Sequence, residues 1–493
     1  MKGDFSRDTF DHKKHYRRVL MQQGRVQVDA DWNEQASILL HYMQSLARDI
    51  IGPYGKPSIG PDGEILDDFR IVGDGDEEFS KVENEKFKEA EGFLIGPGRY
   101  YVDGLLCENE DWIAYEDQPG GPLNDINKLT KGGMFVYLDV WERHVAWYEE
   151  ASKSMREAAL GPYGPDTATR SQLIWQAKIY ELTSTEIPDG TDSESGKTYA
   201  KDLMKKIKEF DKPITHLRAR AKEQSGSGDK LCAASPSAKY LGLENQLYRV
   251  EIHQGTESGK PSFKWSRDNG SLVFPVIEGE IRFPNDTNGK KMCVKLSHLG
   301  LDESKALKKG DWVEFVHEDY VLQNRAESLL QVENIDLPNM VVTLVTKGDL
   351  PDTSNARQPI LRRWDQCENK NSDIGPEGDI PIKPDWINIE DGIQIKFEEP
   401  KDNTRTLTGD TSLIKQHYRT GDYWLIPARA ATKDIEWPGE TVGVSRHGVE
   451  HHYAPLAVLK KGNATWNVDT YYNYDILDIK NFPIVACDIN LCI

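Results

Sequence analysis

Apolar positions in the first part of the chain recur at helical rather than strand spacing. Trp32, Ala36, Leu39, Met43, Leu46 and Ile50 follow one another at intervals of 4, 3, 4, 3 and 4, the repeat that lays a stripe along one side of an α-helix. Leu40 and Ala47 widen it. Asp31 stands where an N-cap belongs, Glu34 follows three residues later in an approximate capping box, and Gly52-Pro53 ends the pattern. The spacing predicts a helix over Trp32 to Ile51, a rod of about 30 Å at ~1.5 Å per residue. So regular a seam either docks on its own domain or pairs with another copy. The six stripe residues are therefore the candidate assembly interface.

From Gly52 to Ala90 the chain is rich in Gly, Pro and acids, with Gly-Pro turns and an acidic loop at Gly73 to Glu78. Beyond it the period drops to two. Arg99 to Leu106, Met134 to Trp141, Gln172 to Leu182 and Leu247 to His253 read as strands, as do Cys293 to Ser297, Trp312 to His317, Met340 to Val345, Ile393 to Phe397 and Tyr423 to Ile426. Tyr199 to Gln224, Lys-rich and interrupted by Pro213, reads as helical, and Ser225 to Gly228 as a linker. Short strands at this spacing imply a mainly β fold with helical segments: several small β-sandwich or barrel modules behind an N-terminal amphipathic helix. The expected organisation is a helical assembly segment (1–52), an acidic connector (53–90), a first β module (91–185), a Lys-rich helical insertion and linker (186–230), a second β module (231–350) and a C-terminal β module (351–493).

A length of 493 residues leaves room for about three cores. Sixty-one Lys and Arg against 81 Asp and Glu give a net charge of −20, which argues against nucleic acid or an anionic membrane as the main partner. The one basic run, Lys13 to Arg18, is short and reads as solvated surface. No apolar stretch reaches the ~20 residues of a membrane span. Met1 to Asp11 is polar where a secretory signal has an apolar core, so the expected site of synthesis and assembly is the cytoplasm, without a signal peptide. Six cysteines, Cys107, Cys232, Cys293, Cys367, Cys487 and Cys492, form no C-x-x-C pair, so neither a zinc site nor a disulfide framework is expected.

Catalytic patterns are weak. His447-Gly-Val-Glu-His451 has the form of an inverted zinc-protease motif, but that chemistry needs both imidazoles on one helical face, and Gly443, Gly448 and Pro455 argue against a helix there. Gly190 to Thr198 has five residues between its glycines where a phosphate loop has four, and it carries Asp192 and Glu194, which repel phosphate. Glu108 and Glu110 could serve a glycosidase, yet such pairs arise by composition in so acidic a chain. Asp74, Asp76, Glu77 and Glu78 lack the spacing of a calcium loop. Gly443 to His447 lacks the closing glycine of a nucleophile elbow. Trp141, Trp147, Trp265, Trp312 and Trp424 could stack sugars but more often fill β cores. No catalytic residue, metal ligand or cofactor is expected.

Several strings carry a resemblance. Lys2-Gly-Asp-Phe-Ser-Arg-Asp-Thr-Phe10, Val19 to Glu34, Pro97-Gly-Arg-Tyr-Tyr-Val-Asp-Gly104, Tyr137 to Arg143, Pro165 to Arg170, Glu244 to His253, Phe263 to Asn269, Leu361 to Asp365, Gly421 to Arg429 and His451 to Ala457 resemble an uncharacterised bacterial and archaeal family encoded beside phage-tail-like contractile injection systems. That family has no agreed catalytic residues. The resemblance implies a non-enzymatic structural component of such a particle or a related extracellular assembly, as a baseplate, fibre or cap-associated piece. Its partners would be further copies of itself and other particle proteins, and it would be released as part of an extracellular particle. The alternative from another class is a carbohydrate-binding or polysaccharide-degrading β protein acting on a cell-surface glycan. The Lys-rich stretch from Thr185 to Lys230 is assigned no role.

Overall fold

Strand Lys291–Leu296 buries Met292, Val294 and Leu296 and leaves Cys293 and Lys295 between them partly exposed, the alternation of a sheet with one face on a core. Val341–Val345 and the start of Leu330–Asp336 alternate in the same way, Trp312–Val316 and Ile360–Trp364 are buried throughout, and with Val273–Arg282 these strands close a six-stranded barrel. Phe274, Phe315, Leu330, Val342, Leu344 and Leu361 help fill it. Strands outnumber helices among the described residues, so the fold is mainly β.

The computed structural model describes residues 2–5, 9–60, 66–82, 87, 90–121, 126–129, 132–149, 155, 166–183, 193–210, 215–222, 239–284, 290–300, 302–354, 356–366, 374–398, 418–462, 465–468 and 480–483. Four of the six cysteines and the start of the Gly190 to Thr198 loop lie outside them. The chain divides into two compact units, each drawn from separated stretches. Met1–Asp4, His144–Ser171 and Lys212–Val449 form one, and Phe5–Arg143, Gln172–Asp211 and Glu450–Ile493 the other.

The first unit holds the barrel and a sandwich. A five-stranded sheet, in the order Ile380–Pro381, Ser262–Ser266, Gln246–Ile252, Tyr423–Arg429, Asp434–Ile435, shares its core with a four-stranded sheet, Ile387–Asn388, Ile393–Glu398, His216–Ala221, Val444–Ser445. Trp265, Trp424, Val250 and Phe263 from one sheet meet Leu217, Ile395 and Phe397 from the other. The strand His216–Ala221 corrects the helix expected over Tyr199 to Gln224. Helix ends at Phe210, and beyond Pro213 the side chains of Leu217, Ala219 and Ala221 alternate inward, a period no helix can satisfy.

The second unit holds three smaller sheets and two long helices. Strand Tyr54–Ile59 lies between the antiparallel Gly98–Val102 and the parallel Lys480–Pro483. A three-stranded sheet (Ile71–Gly73, Phe93–Ile95, Ile113–Ala114) and a four-stranded sheet (Trp466–Val468, His452–Lys461, Gly133–Val145, Arg170–Leu182) complete the β structure. The helix Ser193–Phe210 buries Leu203, Met204 and Ile207 and packs on His452–Lys461.

Gly98–Val102 turns into Leu105–Asn109 through Asp103 and Gly104, at φ 48° and 82°, a two-residue turn whose twist matches the strands it joins. Its Asp103 N–H donates to the Pro53 carbonyl at 2.7 Å, and the Asp103 carbonyl accepts from Gln44 Nε2 at 3.2 Å and Arg48 Nη2 at 3.3 Å. A Cβ on Gly104 would collide with the Gln44 carbonyl. Gly104→Ala should therefore lower the stability of this unit by at least about 2 kcal/mol, from left-handed strain together with the collision, read by urea denaturation. A loss below about 0.5 kcal/mol would show that the turn does not hold the helix.

Candidate functional site

The N-terminal helix runs Asp29–Ile51, two residues ahead of the predicted cap. Val28 holds the cap position with no side-chain hydrogen bond, and Asp31 lies inside the first turn. Glu34, the sixth helical residue, lies too far along for a capping box and instead accepts from the Thr9 hydroxyl through Oε2 at 2.7 Å. Asp29 and Asp31 still favour this end through the helix dipole.

One side of the helix meets its own chain. Ile38 is buried, Gln35 Oε1 accepts from the Val19 N–H at 2.9 Å, and the His41 ring lies 5.7 Å from Phe10. With Gln44 and Arg48 on Asp103, these contacts fix the helix along its polar face. The predicted stripe faces the other way: Trp32, Leu39, Met43, Leu46 and Ile50 are 54–67% exposed, and Ala36 is exposed with them. Leu40 at 62% and Tyr42 at 50% flank it. The structure thus brings all six predicted residues onto one open apolar face.

A second feature was not legible in the sequence. A groove of about 1310 Å³ opens beside the three-stranded sheet, between the short helical turn Phe79–Lys81 and the segment from Asp111 to Asp117. Val72, Ile113 and Phe87 give it an apolar side. Trp112 is half-buried, its ring edge against Gly96. Arg70 is committed to Asp67 Oδ2 at 3.1 Å and to Glu78. The carboxylates of Asp111 and Asp117, the Lys81 ammonium and the Trp112 indole N–H make no hydrogen bond or ion pair among the described residues.

The motifs singled out in the sequence resolve into structural roles. The segment from His447 to His451 is not helical: His447 pairs its backbone with Tyr423, and His451 Nδ1 meets Asp139 Oδ1 at 2.6 Å. Ser193 to Thr198 opens the second long helix. Asp74 accepts from the Gly92 N–H at 3.0 Å and from the Trp466 N–H, and Asp76 accepts from the Gly73 N–H at 2.8 Å, so both shape their loop. Glu108 and Glu110 are exposed. Trp141, Trp265, Trp312 and Trp424 are core residues, and Trp147 is half-buried. Cys107 is buried and its thiol pushed up to about 12 by that burial, which makes it unreactive. Ser445 Oγ lies 3.2 Å from His216 Nε2, but the Glu398 carboxylate opposite His216 is held by Arg218. Among the described residues, none orients that imidazole as a base.

In the first unit, charge is buried. Lys264 lies 3.6 Å from Glu251 Oε1 and closer still to Glu314. Glu314 also accepts from the Tyr320 hydroxyl at 2.6 Å and Trp364 Nε1 at 2.9 Å. Glu251 takes Arg249 Nε at 2.6 Å and Lys2 Nζ at 2.7 Å. Burial would raise both carboxyls, and the surrounding cations outweigh it, holding Glu251 down at about 2 and Glu314 well below the usual range. Burial and the Lys264 charge push His253 down to about 4, so its fully buried ring stays neutral at neutral pH.

Fold and sites together define a mainly β, two-unit protein with an open apolar helix and no assembled catalytic constellation among the described residues. The chain belongs to a family of unknown function (DUF6519), which matches residues 1–188 and 189–464. Searches of the curated proteins and of the solved structures find no match.

The sign of the Glu251 shift sets its pH response. A carboxyl lowered from 4.5 to about 2 contributes stability that is present above pH 4.5 and lost as pH falls toward 2. Glu251→Gln, which strands buried cations, should cost about 3–5 kcal/mol at pH 7 and lose stability less steeply than the wild type across that acid window. Urea titrations at several pH values measure both, and parallel acid slopes would remove Glu251 from the acid response.

Proposed function

We propose that this protein is a non-enzymatic structural component of a large particle, present in several copies that associate through the exposed face of Asp29–Ile51. The observation that carries this reading is the solvent exposure of the stripe Trp32, Ala36, Leu39, Met43, Leu46 and Ile50 on a helix fixed by its opposite side. With Leu40 and Tyr42, seven large apolar side chains at roughly 100 Å² each amount to about 700 Å². That exceeds the largest patch of most monomers, about 300–600 Å², and nears the ~800 Å² per partner of a standard stable interface. The occupant is a second copy of the same helix, because a 4-3 repeat is complementary to itself. Leu40 and Tyr42 stand beside the seam where two-stranded coils carry charge, so the stripe is too wide for a pair and suits three or more helices.

The particle is of the phage-tail-like contractile injection kind or a related extracellular assembly, built in the cytoplasm. The strings spread from Lys2 to Ala457 support that choice. The position in the particle, as baseplate, fibre or cap-associated piece, is open to imaging of particles from cells lacking the gene.

The direct test is Leu39→Asp with Met43→Asp. Both side chains are exposed in the single chain, so the variant should keep the wild-type circular dichroism while its mass by light scattering falls from at least three chains to one. Equal masses for the two proteins would show that the stripe is not the assembly surface.

A further inference from the structure

We propose that the groove beside Trp112 binds a neutral oligosaccharide, a role independent of the helix face. Pyranose rings present apolar C–H faces and a rim of hydroxyls, so their sites combine an aromatic surface with acceptors and donors that the fold has not used. Trp112 supplies the aromatic surface, half-exposed and braced at one edge by Gly96. The carboxylates of Asp111 and Asp117 accept from hydroxyls, while Lys81 and the Trp112 N–H donate. These four groups lack partners among the described residues and line one groove, whose volume of about 1310 Å³ exceeds that of a site for one small molecule.

Charge selects the class of glycan. Among the described residues, the groove is lined by two cations, Arg70 and Lys81, and the three carboxylates of Glu78, Asp111 and Asp117, and Arg70 is already paired. Just outside, burial in the first place, and after it the Asp117 and Glu91 charges, push Glu116 upward. An acidic sugar is repelled there, and a neutral one is not.

The test is calorimetric titration of the full-length protein with maltotetraose, cellotetraose, chitotetraose and mannotetraose, with tetragalacturonate and spermine as charged controls. At least one neutral tetrasaccharide should bind, and tetragalacturonate should not. Trp112→Ala should weaken binding at least tenfold. Asp111→Asn with Asp117→Asn changes only exposed side chains and should weaken it likewise with the fold intact. The proposal is overturned if no neutral tetrasaccharide binds, if binding is unchanged in the Asp111, Asp117 variant, or if only spermine binds.

Discussion

A carboxylate taken out of water must find cations, and in this protein most of them come from far along the chain. Glu314 on a barrel strand is matched by Lys264 on a sandwich strand, and Glu251 beside it by Arg249 and by Lys2 from the N-terminus. The second unit repeats the device with Asp139, fully buried and held by Lys178 from a neighbouring strand and by His451 just ahead of another. Burial alone would raise Asp139, and those two partners hold it low. Removing either side of such a cluster leaves a stranded charge, so the register of every strand involved is fixed along with the ions. The barrel and sandwich of the first unit are joined through this constraint, with the Lys264 ammonium passing from one to the other.

Much of the architecture was legible. Alternation is a local property, so Lys291–Leu296, Gln246–Ile252 and Val341–Val345 appear within a residue or two of their expected bounds. What the pattern does not carry is which strands meet. Gly133–Val145 pairs with His452–Lys461 more than 300 residues away, and no local spacing records that. Tyr199 to Gln224 failed as one helix because its polar Lys-rich register continues past Pro213 while the burial pattern does not. The stripe from Trp32 to Ile50 was visible, but its exposure was not, since the same spacing suits a docked helix. The groove was hidden because Asp111-Trp112 looks like any acid beside an aromatic until the Phe79–Lys81 turn stands opposite it.

The two long helices show what exposure adds. Ser193–Phe210 puts Leu203, Met204 and Ile207 against a sheet and leaves Lys201, Lys205 and Lys206 to water, the division expected of a surface helix. Asp29–Ile51 reverses it. Its contacts to the chain include those of Glu34, Gln35, His41, Gln44 and Arg48 around a single buried Ile38, while its apolar side is open. Polar anchoring of this kind gives position without using the hydrophobic surface, which stays exposed.

Electrostatics decides where such surfaces can meet. Copies carrying −20 each repel one another, and at a screening length of about 8 Å that repulsion acts mainly between the charges nearest the contact. Residues 1–52 hold eight Lys or Arg against seven Asp or Glu, so the N-terminal segment is nearly neutral and the excess acid lies elsewhere. Along the helix, the positions flanking the seam are Asn33, Leu40, Ala47, Gln35, Tyr42 and Asp49, with Asp49 alone carrying charge. In the association proposed above, copies of this chain would approach most cheaply along this open apolar face, with the acidity of the remainder acting against other approaches.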